Sequence, residues 1–398
     1  MSAYSKTTEI LAARCQALLI ALAADALLGD PPNACHPVVL LGGWMRLGER
    51  LAPRGARARL GWGAFWVAGG AVLVGGTARL LPRHVVVQGL AASTLLAYRS
   101  LDRAVGAVQA ALEAGDLDEA RRLASWHLVS RPTAELRADE VAAAAIESLA
   151  ENLSDSLVAP ALAYLGGGLP ALAVYRLVNT ADAMWGYRDE RYEYLGKAAA
   201  RLDDALNLAP ARLTAALIAL AAQISVGRGG AAWHVARRDA GRTASPNAGW
   251  PMAAMAGALD TTLTKRDHYR LGDGPRAPDA ALVGEARRIA RTLTLLVVAG
   301  LLPGASIRVV WNAGASAPGK RVAGRGAQGP GVLARLNRVM GRGARRPGVL
   351  ARLNRVVGRR VRKVGFHILL NRIVGRRERN ASKGFTFSGM GLLMRKKV

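Results

Sequence analysis

Long apolar segments alternate with short polar stretches over the first three quarters of the chain. Residues 10–29 and 62–81 are each long enough to cross about 30 Å of hydrocarbon as a helix. Residues 157–178 and 213–226 are further apolar segments, and residues 292–302 begin a last one. Lipid satisfies no backbone hydrogen bond, so a segment in it must bond to itself, as a helix does. The pattern predicts an all-α, polytopic membrane helical bundle.

Three stretches interrupt this pattern. Residues 100–145 are amphipathic and rich in charge, which predicts a cytoplasmic helical insertion that turns near Gly115. Three glycines at 166–168, followed by Pro170, predict a break within an apolar segment. A helix broken at membrane depth is tolerated where its backbone lines a site, although two short helices joined by a reentrant turn fit equally. The Gly- and Pro-rich residues 269–279 predict a loop.

The character of the chain changes after residue 306. The motif Leu-Asn-Arg, followed by two apolar residues and Gly-Arg, recurs at Leu336, Leu353 and Leu370, with a period of 17 residues. This period is shorter than that of the common repeat folds. We therefore divide the chain into a membrane domain, residues 1–306, and an irregular basic tail, residues 307–398, that is disordered or peripheral.

Three interpretations of the tail compete. It is an amphipathic basic helix on anionic lipid, a nucleic-acid-binding arm, or translated repetitive DNA appended after a frameshift or a lost stop codon. The third is favoured, because the tail replaces the expected end of the last apolar helix. Its aromatic content is too low for a base-stacking surface, so no specific nucleic-acid partner is expected.

The composition fits closely packed membrane helices and places the basicity in the tail. Hydrophobic residues make up 51% of the chain and aromatic residues 5%, and small apolar side chains let helices approach closely in lipid. Residues 301–398 contain 23 of the 55 Lys and Arg residues but one of the 28 Asp and Glu residues, so the net charge of +27 says little about the body. Cys15 and Cys35 provide no disulfide framework and no paired metal spacing.

Polar residues between the apolar segments form three clusters that an apolar helical protein does not need for folding. In the first, Glu147, Glu151 and Asp155 fall within one sector of a helix, because steps of four residues drift by only about 40° each. Like charges at this spacing repel one another, so the stripe indicates a bound cation or a cationic partner. A solvated helix face is the alternative.

The other two clusters add amides and arginines. In the second, Asn179 and Asp182 lie about one helical turn apart. The third cluster consists of Asp203, Asp204 and Asn207, flanked by Arg201 and Arg212. An Asp-Asp pair beside an amide and two arginines suits a magnesium ion that carries a phosphate. The alternative is that the arginines form simple surface ion pairs.

These clusters also contain motifs that resemble a known family. They are E-S-L-A-E-N-L-S-D from Glu147, V-N-T-A-D-A-M-W-G-Y from Val178 and A-R-L-D-D-A-L-N-L-A-P-A-R from Ala200. They look like the central motifs of the adenosylcobinamide-phosphate synthase family of cobalamin biosynthesis.

Flanking stretches agree with this resemblance. The family's amino-terminal signature is similar to the stretch L-L-G-D-P-P-N-A-C-H-P-V that starts at Leu27. A helical region that starts at Tyr98 resembles the family's next block, and the stretch S-P-N-A-G-W-P-M from Ser245 resembles its late motif. The resemblance covers about residues 10–303, in the family's order. It departs from the family at Pro132, where an aspartate is usual, so any role of that carboxylate is absent here.

The resemblance implies an ATP-dependent, amide-forming enzyme. The family condenses adenosylcobyric acid with (R)-1-amino-2-propanol or its O-phosphate, giving adenosylcobinamide or its phosphate. It implies ATP and Mg²⁺, a multi-pass location in the cytoplasmic (inner) membrane, an active site on the cytoplasmic side, and contact with other corrinoid-pathway enzymes. The chain has no G-x-x-x-x-G-K-[ST] loop, so ATP would bind in another way.

Roles for the cluster residues follow as hypotheses from the resemblance and this chemistry. Asp182 is the candidate general base, and Glu151 and Asp155 complete the catalytic set by holding the substrate ammonium or the metal. Asp203 and Asp204 are the candidate Mg²⁺ ligands. Six further residues are assigned to substrate binding, the amides to substrate carboxamides and the arginines to phosphate: Asn152, Asn179, Arg201, Asn207, Arg212 and Asn247.

Two other functional classes compete with the synthase. A membrane transporter or a non-catalytic corrinoid-pathway scaffold would also place carboxylates among apolar helices. The apolar segments show no internal duplication of the kind that many transporters have. Pyridoxal-phosphate chemistry is disfavoured, since Lys6, Lys197 and Lys265 are the lysines before the tail and none has a supporting motif.

Overall fold

The structure is a computed structural model that describes residues 3–129, 132–266 and 268–315. The predicted tail from residue 316 onwards lies outside the described residues. Helices account for nearly all of the regular structure, and one two-stranded antiparallel hairpin completes it. The elements are α1 (Ala3–Leu28), α2 (Pro37–Arg50), α3 (Ala56–Leu80), α4 (Val85–Ser93), α5 (Tyr98–Glu113), α6 (Leu117–His127), α7 (Ala138–Leu153), α8 (Ala159–Trp185), α9 (Lys197–Val226), α10 (Gly229–Asp239), α11 (Gly249–Leu259), β1 (Leu263–Lys265), β2 (Tyr269–Leu271) and α12 (Ala280–Ala315).

Five helical segments are long and apolar enough to cross a membrane. The prediction of a helical membrane protein is confirmed at this level. Large apolar side chains point outward from these helices, such as Val72 and Leu80, which are 77% and 84% exposed, as lipid-facing residues would be. The segments are Lys6–Leu28, Ala56–Leu80, Ala138–Trp185, Lys197–Val226 and Ala280–Ser306.

The longest segment contains two irregularities. A π-helical turn, Ser154–Val158, joins α7 to α8 without a loop. Gly168 has φ 69 and ψ −160, a conformation open to glycine, and it kinks α8 just before Pro170. The predicted break in this apolar segment is therefore confirmed.

Helices α5 and α6 form the predicted amphipathic hairpin. Gly115 turns the chain with φ 72, and the Asp116 carboxylate accepts a 2.9 Å hydrogen bond from the Glu119 N–H at the start of α6. The amphipathic part ends earlier than the sequence suggested. Residues 141–145 belong to α7 and are buried, because this alanine-rich face packs against neighbouring helices.

Helix α11 lies at the centre of the fold. It has no charged residue, almost all of it is buried, and it packs against α7, α9 and α10. These helices belong to the larger apolar core. A smaller apolar core joins α2, α3 and α8, where the Trp44 and Trp66 rings stack with centroids 4.4 Å apart. The two apolar cores hold the polar ends of α7, α8 and α9 in fixed positions.

The hairpin β1–β2 corrects the prediction of a loop over residues 269–279. Tyr269–Leu271 is a strand that pairs with Leu263–Lys265. Leu263 and Leu271 are opposite each other and fully buried, so tertiary burial stabilises a strand pair that is too short to be stable alone. The Gly- and Pro-rich stretch from Gly272 onwards remains a loop.

The contact between α3 and the chain before α9 tolerates no side chain at Gly63. A Cβ atom at Gly63 would lie 2.0 Å from the Leu195 carbonyl oxygen. We expect Gly63→Ala to lower the thermal unfolding midpoint in detergent, because separating the two backbones costs about 1–3 kcal/mol. Gly69→Ala is the matched control in the same helix, since a Cβ there meets nothing within 4 Å. Equal midpoints for the two variants would contradict this packing.

Candidate functional site

Helices α7, α8 and α9 bring acidic residues of all three polar clusters together in one cleft of about 360 Å³. Glu147 and Glu151 come from α7, Asp182 from α8, and Asp203 and Asp204 from α9. Glu147, Asp182 and Asp203 are buried and the other two are partly buried. The alternative of a solvated helix face for the first cluster is therefore wrong.

A smaller pocket of about 20 Å³ adjoins this cleft and is lined in part by the same residues, including Glu151 and Asp203. Asp155, Asn207 and Asn247 line it as well. The carboxylates of the first cluster thus follow one another along both spaces: Glu147 lines the cleft, Asp155 the small pocket, and Glu151 both.

Amide side chains fix the acidic residues of α9. Asn179 Nδ2 donates to Asp203 Oδ1 at 3.2 Å, across the contact between α8 and α9. The Tyr175 hydroxyl donates to Asn207 Oδ1 at 3.0 Å, and Asn207 Nδ2 donates to the Asp203 carbonyl at 3.2 Å. Asn179 and Asn207 therefore hold the site's own residues in place, whatever else they contact.

The remaining predicted amides lie at the edges of the site. Asn152 lines the cleft, and its Nδ2 donates to the Ser148 carbonyl at 2.9 Å. Asn247 Nδ2 donates to the Asp204 carbonyl at 2.8 Å, so the loop before α11 contacts α9. This bond orients the Asn247 side chain, because a carbonyl accepts only from the NH₂ group.

Arg201 and Arg212 are not placed as predicted. Both are exposed on α9, and neither is among the described residues that line the two spaces. Arg212 bonds to the Leu208 carbonyl at 2.7 Å, and its guanidinium carbon lies 5.0 Å from the Trp250 ring centroid. Their positions on the helix surface give no support to the predicted phosphate contact.

Three basic residues that sequence reasoning did not assign line the cleft instead: Arg188, Lys265 and His268. Lys265 is 7% exposed, and its Nζ lies 5.8 Å from the ring centroid of its strand partner Tyr269. A buried ammonium requires compensating charge, which the carboxylates of the cleft supply. No spacing rule connects a lysine near residue 265 to acids at 147–204, so only the tertiary structure identifies it.

Two contacts anchor the hairpin that presents Lys265. The Arg266 Nε donates to Glu140 Oε1 at 2.6 Å, which connects the hairpin to the start of α7. The buried Asp239 carboxylate accepts the Gly272 N–H at 2.8 Å and the Arg238 Nε at 2.8 Å. Burial alone would raise the pKa of Asp239, but these hydrogen bonds, with the charge of Arg238, lower it below its ordinary value.

The guanidinium of Arg176 is fully buried behind the site. Its Nε donates to the Leu95 carbonyl at 2.9 Å, and its Nη1 donates to the Asp155 carbonyl in the π-helical turn at 3.2 Å. Its charge interacts with the carboxylates of Asp30, Asp155 and Asp203. Arg176 therefore positions the π-helical turn and partly balances the acidic cleft.

The Gly-Asp-Pro and His-Pro stretch forms a separate polar junction between α1, α2 and α5. The Ser100 hydroxyl donates to Asp30 Oδ2 at 2.6 Å, and His36 Nε2 lies 3.9 Å from Asp30 Oδ1. His36 Nδ1 accepts the Val38 N–H and begins α2, while Asp25 Oδ2 accepts the Arg99 N–H. Burial opposes ionisation of Asp30, yet the nearby imidazole of His36 and the hydrogen bond from Ser100 lower its pKa.

The described residues include no group of three or more His, Cys, Asp or Glu side chains arranged to hold a metal. This is compatible with Mg²⁺, which proteins usually bind through one or two carboxylates together with substrate phosphates. Asp203, held by Asn179, and Asp204 beside it fit that role only for a metal that arrives with its phosphate.

Comparisons with known proteins identify relatives over this same region. A family model described as "CobD/Cbib protein" matches residues 18–296. The cobalamin biosynthesis protein CobD of Dehalococcoides mccartyi (strain CBDB1) is 40% identical over 275 residues, 65% of this chain and 86% of that protein. The protein of the same name from Brucella suis is 41% identical over 269 residues, which are 63% of this chain and 82% of that protein. The protein of the same name from Klebsiella pneumoniae is 35% identical over 305 residues, which are 71% of this chain and 93% of that protein. No solved structure matches the chain significantly.

Replacing Arg176 tests whether the site depends on the buried guanidinium. We expect Arg176→Met to destabilise the protein by about 3–5 kcal/mol, because it removes one member of a buried charge network. Arg176→Lys keeps the charge but not the planar fork, so its loss should be intermediate. The matched control is Arg212→Met on the surface of α9. The measurement is the thermal unfolding midpoint in detergent, and equal midpoints for the two methionine variants would refute this role.

Acidification tests the Asp239 anchor. The pKa of Asp239 is lower in the folded protein than in the unfolded chain, where it is about 3.9. Its ionised carboxylate therefore stabilises the fold fully above the unfolded-state pKa, and this stabilisation is lost as the pH falls through the folded-state pKa. We therefore expect Asp239→Asn to lower the unfolding midpoint relative to wild type at pH 7, and this difference to shrink at pH 3. Asp118→Asn, at a side chain that is 94% exposed, should change the midpoint little at either pH. A difference that grows on acidification would contradict the assignment.

Proposed function

The chain belongs to the CobD/Cbib family of cobalamin biosynthesis proteins, and from this premise we propose that its cleft forms an amide bond on a corrinoid. The substrates are adenosylcobyric acid and (R)-1-amino-2-propanol or its O-phosphate. The observation that supports this most is the convergence of five acidic residues from three helices with Lys265 from strand β1 and Arg188 from a loop. Such a cleft offers sites for an amine and for an anion side by side.

The reaction needs activation, because a carboxylate resists attack by an amine. In the proposed sequence, an oxygen of the corrinoid carboxylate attacks the terminal phosphorus of ATP, the bond to ADP breaks, and an acyl phosphate forms. The amine nitrogen then bonds to the acyl carbon, and phosphate leaves with the electron pair of the broken C–O bond. A proton must leave the ammonium before attack and pass to a base.

The acidic residues are assigned to the roles that these reaction steps require. Asp182 is the proposed general base, since it lines the cleft from α8 together with the other acids. Glu151 and Asp155 are assigned to balance the charge of the substrate ammonium. A carboxylate that holds an ammonium also accepts its proton when attack begins, so the two roles are compatible.

We assign the anionic groups to the basic side of the cleft. Lys265, buried and fixed by the hairpin, and Arg188 are proposed to bind phosphate in place of Arg201 and Arg212, which lie on the helix surface. A Mg²⁺ that arrives with ATP would be held by Asp203 and would neutralise developing phosphate charge.

The fold and the chemistry of the substrates support a proposed location. The five apolar helices make the chain a membrane protein. We propose the cytoplasmic membrane and a cleft open to the cytoplasm, because ATP and the corrinoid acid are intracellular. The exposed apolar side chains supply the surface for lipid, and association with other corrinoid-pathway enzymes would place substrate near the cleft.

The direct test supplies full-length protein in membranes with adenosylcobyric acid, the amine or its phosphate, and Mg-ATP. Mass spectrometry should detect the amide together with ADP and phosphate. Movement of a corrinoid across the membrane without product would favour a transporter. Binding of the corrinoid with neither movement nor product would favour a scaffold, and either result would overturn the proposed reaction.

Replacing Asp203 tests its proposed role in the cleft. We expect Asp203→Asn to lower kcat by roughly 10²- to 10³-fold, the usual effect of removing one charge-stabilising group. Asp118→Asn on the exposed face of α6 is the matched control and should retain activity. Unimpaired turnover of the Asp203 variant, at saturating Mg²⁺ and ATP, would exclude this residue from the metal or substrate site.

A further inference from the structure

The small pocket beside the cleft has room for one water-sized group. Its volume of about 20 Å³ exceeds the 10–15 Å³ or so that one such group needs. Ser154 and Asn247 line it and are only 3% and 6% exposed. Ser154 Oγ and Asn247 Oδ1 make no hydrogen bond to any atom of the described chain. Buried polar atoms of this kind indicate a bound group that satisfies them.

Both atoms are available as acceptors. Asn247 Nδ2 is committed to the Asp204 carbonyl at 2.8 Å, so Oδ1 is the end of the amide left for a ligand. Ser154 is the first residue of the π-helical turn, which interrupts the regular helical bonding between α7 and α8. Such turns often occur at functional sites because the extra residue redirects side chains.

The surrounding charge selects a cation. Glu151, Asp155 and Asp203 line the same pocket, which contains no basic residue among those described. A hydrated Mg²⁺ is too large for this pocket, because the ion keeps several waters and the volume is only about 20 Å³. A primary ammonium has the size of water, carries one positive charge and has three N–H donors.

We propose that this small pocket binds the primary ammonium group of the amine substrate, with Ser154 Oγ and Asn247 Oδ1 each accepting one N–H. The proposal rests on the proposed function and adds the position of the nucleophile. The pocket shares Glu151 and Asp203 with the cleft, so the nitrogen lies next to the space assigned to the activated carboxyl group. After one proton passes to a carboxylate, the nitrogen lone pair is free to bond to the acyl carbon as phosphate leaves.

Steady-state kinetics of the full-length protein test these two acceptors. We expect Ser154→Ala and Asn247→Ala each to raise the KM for the amine by about 10- to 100-fold, the effect of losing one hydrogen bond to a charged group. The KM for adenosylcobyric acid and for ATP should stay within about twofold. Ser156→Ala is the matched control, since Ser156 is equally buried in the same π-helical turn but lines neither space. An unchanged amine KM in Ser154→Ala would show that the pocket holds only water.

Binding without turnover separates this proposal from the proposed function. Calorimetric titration of wild type with (R)-1-amino-2-propanol should show binding that Ser154→Ala weakens. Propane-1,2-diol, which replaces the ammonium by a hydroxyl, should not bind. The N-methyl amine should bind at least tenfold more weakly, because its methyl group needs room beside the nitrogen in a pocket of about 20 Å³. If this pattern is found in a protein that forms no amide, the reaction is wrong and the pocket assignment stands. If amide forms but the diol binds as well as the amine, the pocket assignment is wrong and the reaction stands.

Discussion

The acidic site depends on one buried cation. Arg176 lies on α8 with no exposed surface and donates to the carbonyls of Leu95 and Asp155, so it connects the turn between α4 and α5 to the π-helical turn. Placing a charge among apolar helices is costly unless hydrogen bonds and opposite charge surround it. The carboxylates around Arg176 supply that charge, and Arg176 in turn allows several acids to lie close together.

The packing of apolar residues between the helices also sets the positions of the polar residues in the cleft. Small residues let α7, α9, α10 and α11 approach closely, which fixes the polar ends of the helices relative to one another. Hydrogen bonds from Asn179 and Tyr175 then orient the acidic face of α9. The cleft is therefore preorganised by protein contacts, as a site that must stabilise charge requires.

Family membership and geometry contribute different things to the functional argument. The family match gives the pathway, because the relatives are cobalamin biosynthesis proteins. The geometry places the acids on helices and the basic residues of the cleft on the hairpin β1–β2 and the loop after α8. It gives no support to the predicted phosphate contacts of Arg201 and Arg212, which are exposed on α9, whereas Lys265 is buried in the cleft.

The sequence alone determined the features that depend on near neighbours in the chain. The apolar segments, the turn at Gly115 and the break at Gly168 follow from hydrophobicity and backbone preference, and helical spacing grouped Glu147 with Glu151. Only the tertiary structure decided which faces converge, because that depends on packing between helices far apart in sequence. Lys265 belongs to the cleft for this reason, on a short strand pair that is stable only when its leucines are buried.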